Sequence, residues 1–330
     1  MIWYKEQNPE IVISTRIRLA RNLKDIPFPH MLKNKDEISK KIKDAVFESG
    51  STLAKDFEDT NLDKISEGEK KKLSEAHLLS RQMLTGENHH CLINKDKTMS
   101  LMIMEEDHIR QQVIMGGYKL DEAYEICNKV DDVLSENLEF AFDEKLGYLT
   151  ACPTNVGTGL RASVMLHLPA LSMTGRIDRI VQSAGNVGIA VRGYDGEGSK
   201  AEGFFYQISN QITMGATERE IIDRVKNVTD QIISFEKEAR ESILKNNKAE
   251  LEDRVWRSYG VLKYARKITS KEATSMLSDV LTGINMGIIK TETSLAPMEL
   301  IVGAQPAGIG TDISPEERDI KRAEFIRNNL

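Results

Sequence analysis

Apolar positions along the chain follow two rhythms, one of period two and one near 3.6. Over residues 11–17 apolar and β-branched residues alternate with Ser14 and Arg16, which predicts a strand. Over 36–48, Ile38, Ile42 and Val46 recur every four residues, giving a helix one apolar face. The short apolar run 100–104 reads as a buried strand, and 188–192 and 204–208 read as further strands. After Gly159, Leu160, Val164 and Leu168 stand at helical spacing, so a helix is predicted to begin just past that glycine. Thr217 and Glu220 form a capping box that opens a long helix through Ile221, Ile222, Val225, Val228 and Ile232. Beyond Glu236 the chain turns charged and helical, with a hinge expected at 245–248. The pattern predicts an α+β body over 1–244 followed by a helical domain over 245–330, with no internal repeat.

Composition narrows the class. The 330 residues suffice for one large and one smaller domain, and 40% hydrophobic with 29% charged residues is ordinary for a globular protein. A net charge of -6 argues against sequence-blind binding to nucleic acid or to anionic membrane, since both need a positive surface. Cys91, Cys127 and Cys152 are odd in number and widely spaced, which speaks against a disulfide framework and for the reducing cytoplasm. The opening residues have no apolar segment of the signal-peptide kind, and no apolar run approaches the ~20 residues that span a bilayer.

Arg16, Arg18, Arg110, Arg161 and Arg192 stand in or beside short apolar segments, where a guanidinium is costly to bury without an anionic partner. Arg16 and Arg18 share one face of a strand by period two. Arg161 falls in the first turn of the helix predicted after Gly159, a place that favours anions. Converged guanidiniums would suit a triphosphate, through bidentate N–H···O geometry; spacing alone fits five separate surface salt bridges at least as well. The run from Cys152 to Arg161 (CPTNVGTGLR) is neither a Walker A loop nor a dinucleotide fingerprint. Its Gly157 and Gly159 would allow close backbone approach to a ligand, and a plain turn explains them too. Glu105, Glu106 and Asp107 precede His108. Three adjacent acids either lie on a solvated turn or carry a task, such as the base that a guanidinium needs before its nitrogen can attack phosphorus. His89, His90 and Cys91 match no common zinc spacing, so no metal site is assigned. Cys152 is either a core thiol or, beside a helix N-terminus and arginines, a stabilised thiolate. His77 and His167, taken singly, are ordinary structural histidines.

Together these segments resemble the phosphagen (guanidino) kinase superfamily over 14–235. Ser14-Thr15-Arg16-Ile17-Arg18 resembles its first arginine motif, and Glu105 to Arg110 its acidic catalytic strand end. The run from Cys152 to Arg161 is similar to its signature loop, and Arg192-Gly193-Tyr194-Asp195-Gly196-Glu197 to its later nucleotide and substrate loop. The resemblance implies an antiparallel sheet flanked by helices, of the glutamine-synthetase catalytic type. It implies that the five arginines grip ATP, within nucleotide segments comprising Ser14 to Arg18, His77, Arg161-Ala162-Ser163-Val164-Met165 and Arg192 to Glu197. It implies Glu106 as the base, Glu197 as a second carboxylate, Cys152 near the guanidinium, and Mg²⁺ held mainly by phosphates and water.

Two departures point to a branch. Metabolite-directed members carry a helical domain of about a hundred residues ahead of the first arginine motif; here thirteen residues precede Ser14, which leaves the site open to a bulky substrate. The C-terminal extension contains Arg318-Asp319-Ile320-Lys321-Arg322-Ala323, on a helix that should start at Ser314-Pro315, with Arg318 and Arg322 one turn apart. Both features are similar to the bacterial protein-arginine kinases. That branch implies an ATP-dependent kinase acting on exposed arginines of proteins and marking them for a Clp-type unfoldase in stress response. It also implies an activator protein, a transcriptional repressor among the substrates, phosphoarginine sensing at Arg318, Asp319, Arg322 and Ala323, and a cytoplasmic homodimer. A free-arginine kinase and a catalytically idle phosphoarginine-binding adaptor are the rival readings. Met104 stands where the superfamily usually has Asn, which puts one secondary hydrogen bond in question.

Overall fold

The computed structural model describes residues 2–5, 9–48, 50, 53–87, 89–193, 203–290 and 295–330. Its strands are β1 (Val12–Arg21), β2 (Phe57–Asn61), β3 (His90–Asn94), β4 (Met99–Ile103), β5 (Ile109–Gly116), the short hairpin β6 (Phe142–Asp143) and β7 (Gly147–Tyr148), then β8 (Leu160–His167), β9 (Ile189–Gly193) and β10 (Phe205–Asn210). All but the hairpin join one eight-stranded sheet in the order β2-β3-β4-β5-β1-β8-β10-β9. Every neighbouring pair is antiparallel.

Register decides what each face carries. Arg18 stands opposite both Gln112 and Arg161, Arg16 opposite Ser163, Ala20 opposite Arg110, and Gln207 opposite Arg192. Residues paired across strands share a face, so all five arginines lie on one side of the sheet. The other side presents Ile17, Leu19, Val113, Val164, Leu166 and Ile208, all buried. The helices are α1 (Asp36–Phe47), α2 (Leu53–Asp56), α3 (Glu67–Glu75), α4 (Leu120–Asn137), α5 (Pro169–Met173), α6 (Ile177–Asn186) and α7 (Glu218–Asn246). The C-terminal set is α8 (Lys248–Tyr264), α9 (Ser270–Asn285), α10 (Pro297–Gly303), α11 (Pro306–Ile309) and α12 (Pro315–Asn329). Helices α4 and α7 cover the apolar face. The segment after α3 covers the β4–β5 end of the polar face, where Ser100 Oγ donates to Leu78 O and Gln112 Nε2 to His77 O. Among the described residues, the rest of that face forms an open cleft.

The helix expected after Gly159 is strand β8. Spacing at 160, 164 and 168 suits a helix, but Ala162 and Leu166 are apolar as well, and the true rhythm is two. Leu160, Ala162, Val164 and Leu166 are all fully buried, while Arg161, Ser163 and Met165 face the open side. The capping box at Thr217 forms as read, its hydroxyl accepting from Glu220 N, and opens α7. Helices α7 and α8 break at Asn247.

Candidate active site

The open face holds a cleft of about 740 Å³ lined by Arg16, Arg18, Arg110, Arg161 and Arg192, with Glu105, Glu106, Asp107 and Cys152 on its rim. The five arginines are therefore one cluster and not separate surface ion pairs. Their mutual repulsion is visible in their acidity. Burial and the charges of Arg110 and Arg161 pull the Arg16 guanidinium down to about 10. Burial, then Arg16, Arg110 and Arg161, hold Arg18 well below its ordinary value. Such a cluster gains most from a polyanion. His77 lies beside it: burial and the charges of Arg16, Arg81 and Arg18 lower its imidazole to about 3, and its ring packs 5.4 Å from Trp3. It is a neutral wall of the cluster.

The four residues after β4 divide the work. Glu105 Oε1 accepts from Arg110 Nη1 at 2.5 Å. Burial pushes the Glu105 carboxyl up, but Arg110 and Arg18 outweigh it and hold it below the ordinary range. Glu105 thus fixes Arg110. Asp107 Oδ1 accepts from Asn22 Nδ2 at 2.6 Å and from Ala151 N at 2.7 Å, so it ties this turn to the segment leading into Cys152. His108 accepts from Leu23 N at 3.0 Å through Nδ1 and donates to Pro27 O at 2.9 Å through Nε2. Burial keeps it neutral, at about 4. Glu106 is half-buried and lines the cleft, and burial plus the charges of Asp107 and Glu105 raise its carboxyl above the ordinary range. Asp107 is tied up by Asn22 and Ala151 and Glu105 by Arg110, which leaves Glu106 as the candidate base at the cleft.

Met104, just ahead, has φ +63 and is fully buried. This left-handed backbone is where Asn is tolerated and Met is strained.

Cys152 lines the cleft with Sγ 3.0 Å from Thr154 Oγ1. The helix expected to stabilise its thiolate does not exist: a single turn, Pro153–Asn155, follows, and then β8. Nor do the glycines of the loop serve only a ligand. A Cβ on Gly157 (φ +115) would meet Thr213 O at 2.2 Å, and one on Gly159 (φ +65) would meet Ala20 O at 2.6 Å. Both are needed for close approach to the protein's own backbone.

Of the nucleotide segments read from sequence, alternate residues reach the open side. Thr15, Ile17, Ala162 and Val164 face the helix layer, where Thr15 Oγ1 donates to Gly117 O. Ser14, Ser163 and Met165 share the arginine face, and Gly193 is buried at the end of β9. Tyr194, Asp195, Gly196 and Glu197 lie outside the described residues. The sequence reading missed Gln82, Asn155, Gln207, Ser209 and Gln211, which also line the cleft. Gln207 and Ser209 on β10, and Gln211 just past it, alternate in phase with the Gln207–Arg192 pair, a signal present in the sequence. It also missed Arg21, which lies on the helix side, donates to Asp131 Oδ2 at 2.7 Å and holds Thr158 O at 2.9 Å.

In the C-terminal helices, α12 starts at Ser314 as expected, with Ser314 Oγ accepting from Glu317 N. Arg322 is buried and donates to Ala304 O at 2.6 Å, Ile268 O at 3.0 Å and Asp319 Oδ1 at 2.5 Å. Arg318 donates to Ile313 O at 2.9 Å. The two do not present a shared surface fork. Arg322 instead ties α12 to the turns before α9 and after α10, and Ala323 is buried beside it.

Residues 37–239 match the family model of the ATP:guanido phosphotransferase C-terminal catalytic domain. Residues 248–330 match that of the protein-arginine kinase McsB C-terminal domain. The chain is 48% identical to the protein-arginine kinase of Clostridium kluyveri, over 99% of this chain and 96% of that protein. It is 45% identical to the protein-arginine kinase of Bacillus subtilis, over 99% and 93%. A crystal structure of lombricine kinase is similar with a TM-score of 0.62 and 26% identity, over 71% of this chain and 68% of that one.

Proposed function

The chain belongs to the ATP:guanido phosphotransferase family, and we propose that its arginine-lined cleft is where this protein-arginine kinase transfers the ATP γ-phosphoryl group to arginine side chains of proteins. The observation that carries the assignment of the cleft is the convergence of Arg16, Arg18, Arg110, Arg161 and Arg192 on one face with Glu106 and Cys152 at its rim. An ATP-dependent phosphotransferase needs charge neutralisation around a loose transition state more than covalent chemistry. The arginines supply it and would hold the polyphosphate in line. Glu105 keeps Arg110 in place for that task. The residues fit a nucleotide polyanion; the accompanying divalent ion, Mg²⁺, would be carried by the phosphates, because Glu105 and Asp107 are already committed to Arg110 and to the Cys152 segment.

The acceptor guanidinium must lose a proton as its Nη attacks the γ-phosphorus and ADP leaves. Glu106 takes that proton, and its raised basicity suits it to do so. Cys152 sits beside the attacking group, and Glu197, from the motif after Arg192, would supply the second carboxylate. We further infer that the products are marks read by a Clp-type unfoldase in cytoplasmic stress response, that an activator and a repressor substrate exist, and that the protein acts as a homodimer. The exposed Trp256 and Tyr264 on α8 are in keeping with a partner surface. Phosphoarginine sensing is placed at Arg318 and Asp319 with Arg322 and Ala323 behind them.

The deciding experiment incubates the full chain with MgATP and a protein substrate. Acid-labile phosphate mapped to arginine by mass spectrometry is the expected result. Phosphate only on hydroxyl residues, or only on free arginine, overturns the proposal.

A further inference from the structure

The start of β10 has an unusual backbone, and the C-terminal helices hold it. Gly203 and Phe204 both take left-handed conformations, with φ of +62 and +59. For Phe204 this is strained and persists only where its surroundings dictate it. Those surroundings come from α8 and α9. Ser278 Oγ donates to Gly203 O and accepts from His167 Nε2–H at 2.7 Å. A Cβ on Gly203 would lie 3.0 Å from Thr274 O, so α9 is pressed against the backbone there. The Arg254 guanidinium sits 4.9 Å over the Phe204 ring, and Arg254 Nε donates to Asp279 Oδ1 at 2.8 Å. Ser258 donates to the other oxygen of Asp279, which fixes α8 to α9 at this point.

What is held matters for the cleft. His167, the last residue of β8, stands opposite Phe205, and its ring stacks on Phe205 at 4.8 Å. Two and four residues further on, Gln207 and Ser209 turn into the cleft, and Gln207 is the ladder partner of Arg192. A strand has period two, so the conformation at its first residue decides which side chains reach which face. Fixing Gly203 and Phe204 therefore fixes the phase of β10, and through the ladder the placement of Arg192.

We propose that Arg254 and Ser278 are positioning residues for phosphoryl transfer, through which the C-terminal helices set the Arg192–Gln207 edge of the cleft. This rests on the reading of the cleft as the kinase site. It gives the C-terminal domain a direct part in basal turnover, separate from any phosphoarginine bound near Arg318.

The test compares the full-length wild type with Arg254→Met, Arg254→Lys and Ser278→Ala. It measures steady-state arginine phosphorylation of a protein substrate over ranges of ATP and substrate, thermal unfolding, and amide hydrogen exchange. Arg254→Met should lower kcat/KM for ATP by about tenfold or more, in line with the cost of sub-ångström misplacement. Exchange over 205–210 should quicken while exchange over 12–21 stays the same. Arg254→Lys keeps a cation over Phe204 and should recover most of the loss. Ser278→Ala should act in the same direction. Should that variant fail to fold, the Arg254 pair decides alone, because its side chain is 42% exposed. Turnover within twofold of wild type for Arg254→Met, or lost turnover with unchanged exchange over 205–210, overturns the proposal. A wild type that places no phosphate on arginine overturns the kinase reading itself, and the exchange data then judge the contact separately.

Discussion

Asp107 offers the sharpest test of how the acidic turn is organised. Its carboxylate is buried and accepts from Asn22 Nδ2 and from the backbone N–H of Ala151, at 2.6 and 2.7 Å. Asp107→Ala removes Oδ1, the one oxygen that accepts from both. Asn22 Nδ2 still donates to Leu149 O at 3.0 Å, so its loss is partial, whereas Ala151 N–H is left without its acceptor. Hydrogen bonds to a charged acceptor contribute about 1.5–3 kcal/mol each, and an orphaned donor costs about 1–3 kcal/mol. A destabilisation of about 3 kcal/mol should appear in denaturant unfolding. The kinetic effect should be larger than that figure suggests, because Asp107 links Glu106, its neighbour, to the segment carrying Cys152. A shift of ~1 Å between acceptor-binding groups can cost about 10²-fold. We expect kcat to fall by between tenfold and a hundredfold while nucleotide affinity changes little, since the arginines are anchored elsewhere. Asp107→Asn keeps an acceptor oxygen and should fall between the two. If Asp107→Ala is destabilised as predicted but turns over normally, the residue is a strut and nothing more. Unchanged stability would refute the reasoning outright.

Glu106→Gln keeps the side chain's shape and removes its basicity, so kcat should drop by about two orders of magnitude or more with ATP binding retained. In wild type the acid limb of kcat should lie above the ordinary carboxylate range, because Glu106 must be ionised to act and its carboxyl is raised; a limb at or below that range counts against the assignment. Arg161→Lys and Arg192→Lys keep the charge and lose the fork, and each should cost activity without unfolding the protein; full activity in both would dissolve the clamp. Burial lowers His108 from 6.5 to about 4, so the unfolded chain binds its proton first as pH falls. At 1.36 kcal/mol per unit, stability should decline by about 3 kcal/mol between pH 6.5 and 4. His108→Gln should flatten that slope in pH-dependent denaturation, and an unchanged slope would assign it to other groups. For the phosphoarginine motif, calorimetry on Arg318→Ala should show lost binding with the fold intact. Arg322→Ala is the wrong probe, because it strands Ala304 O and Ile268 O in the interior.

Much of the fold was legible because its signals were local. The capping box at Thr217 and the Ser314-Pro315 helix start both form at the residues that announce them. The strand through Arg16 and Arg18 runs longer than its apolar alternation suggested, to Arg21, because Arg21 finds Asp131 inside the helix layer. Residues 160–168 went the other way. Their leucines and valine satisfy a four-residue spacing by accident of a two-residue one, and only pairing with β1 and β10 separates the two. The consequence reached the chemistry, since the helix N-terminus meant to activate Cys152 vanished with the helix.

Sequence located the arginines but could not say why they tolerate one another, and the answer lies in what surrounds each. Arg110 is matched by Glu105, five positions earlier across the turn, while burial and then neighbouring guanidiniums lower Arg16 and Arg18. Arg21, three residues past Arg18 and so out of phase with it, is neutralised by Asp131 on the opposite side of the sheet. Arg322 shows the same principle in the C-terminal helices. Its spacing from Arg318 promised a shared surface fork, yet the turns at Ile268 and Ala304 present carbonyls within reach, and the guanidinium goes to them. An arginine's role in this chain is therefore decided by which acceptors tertiary packing leaves unmet. On the open face of the sheet, burial and the neighbouring guanidiniums lower Arg16 and Arg18, and that is the physical reason for proposing the cleft as a polyphosphate site.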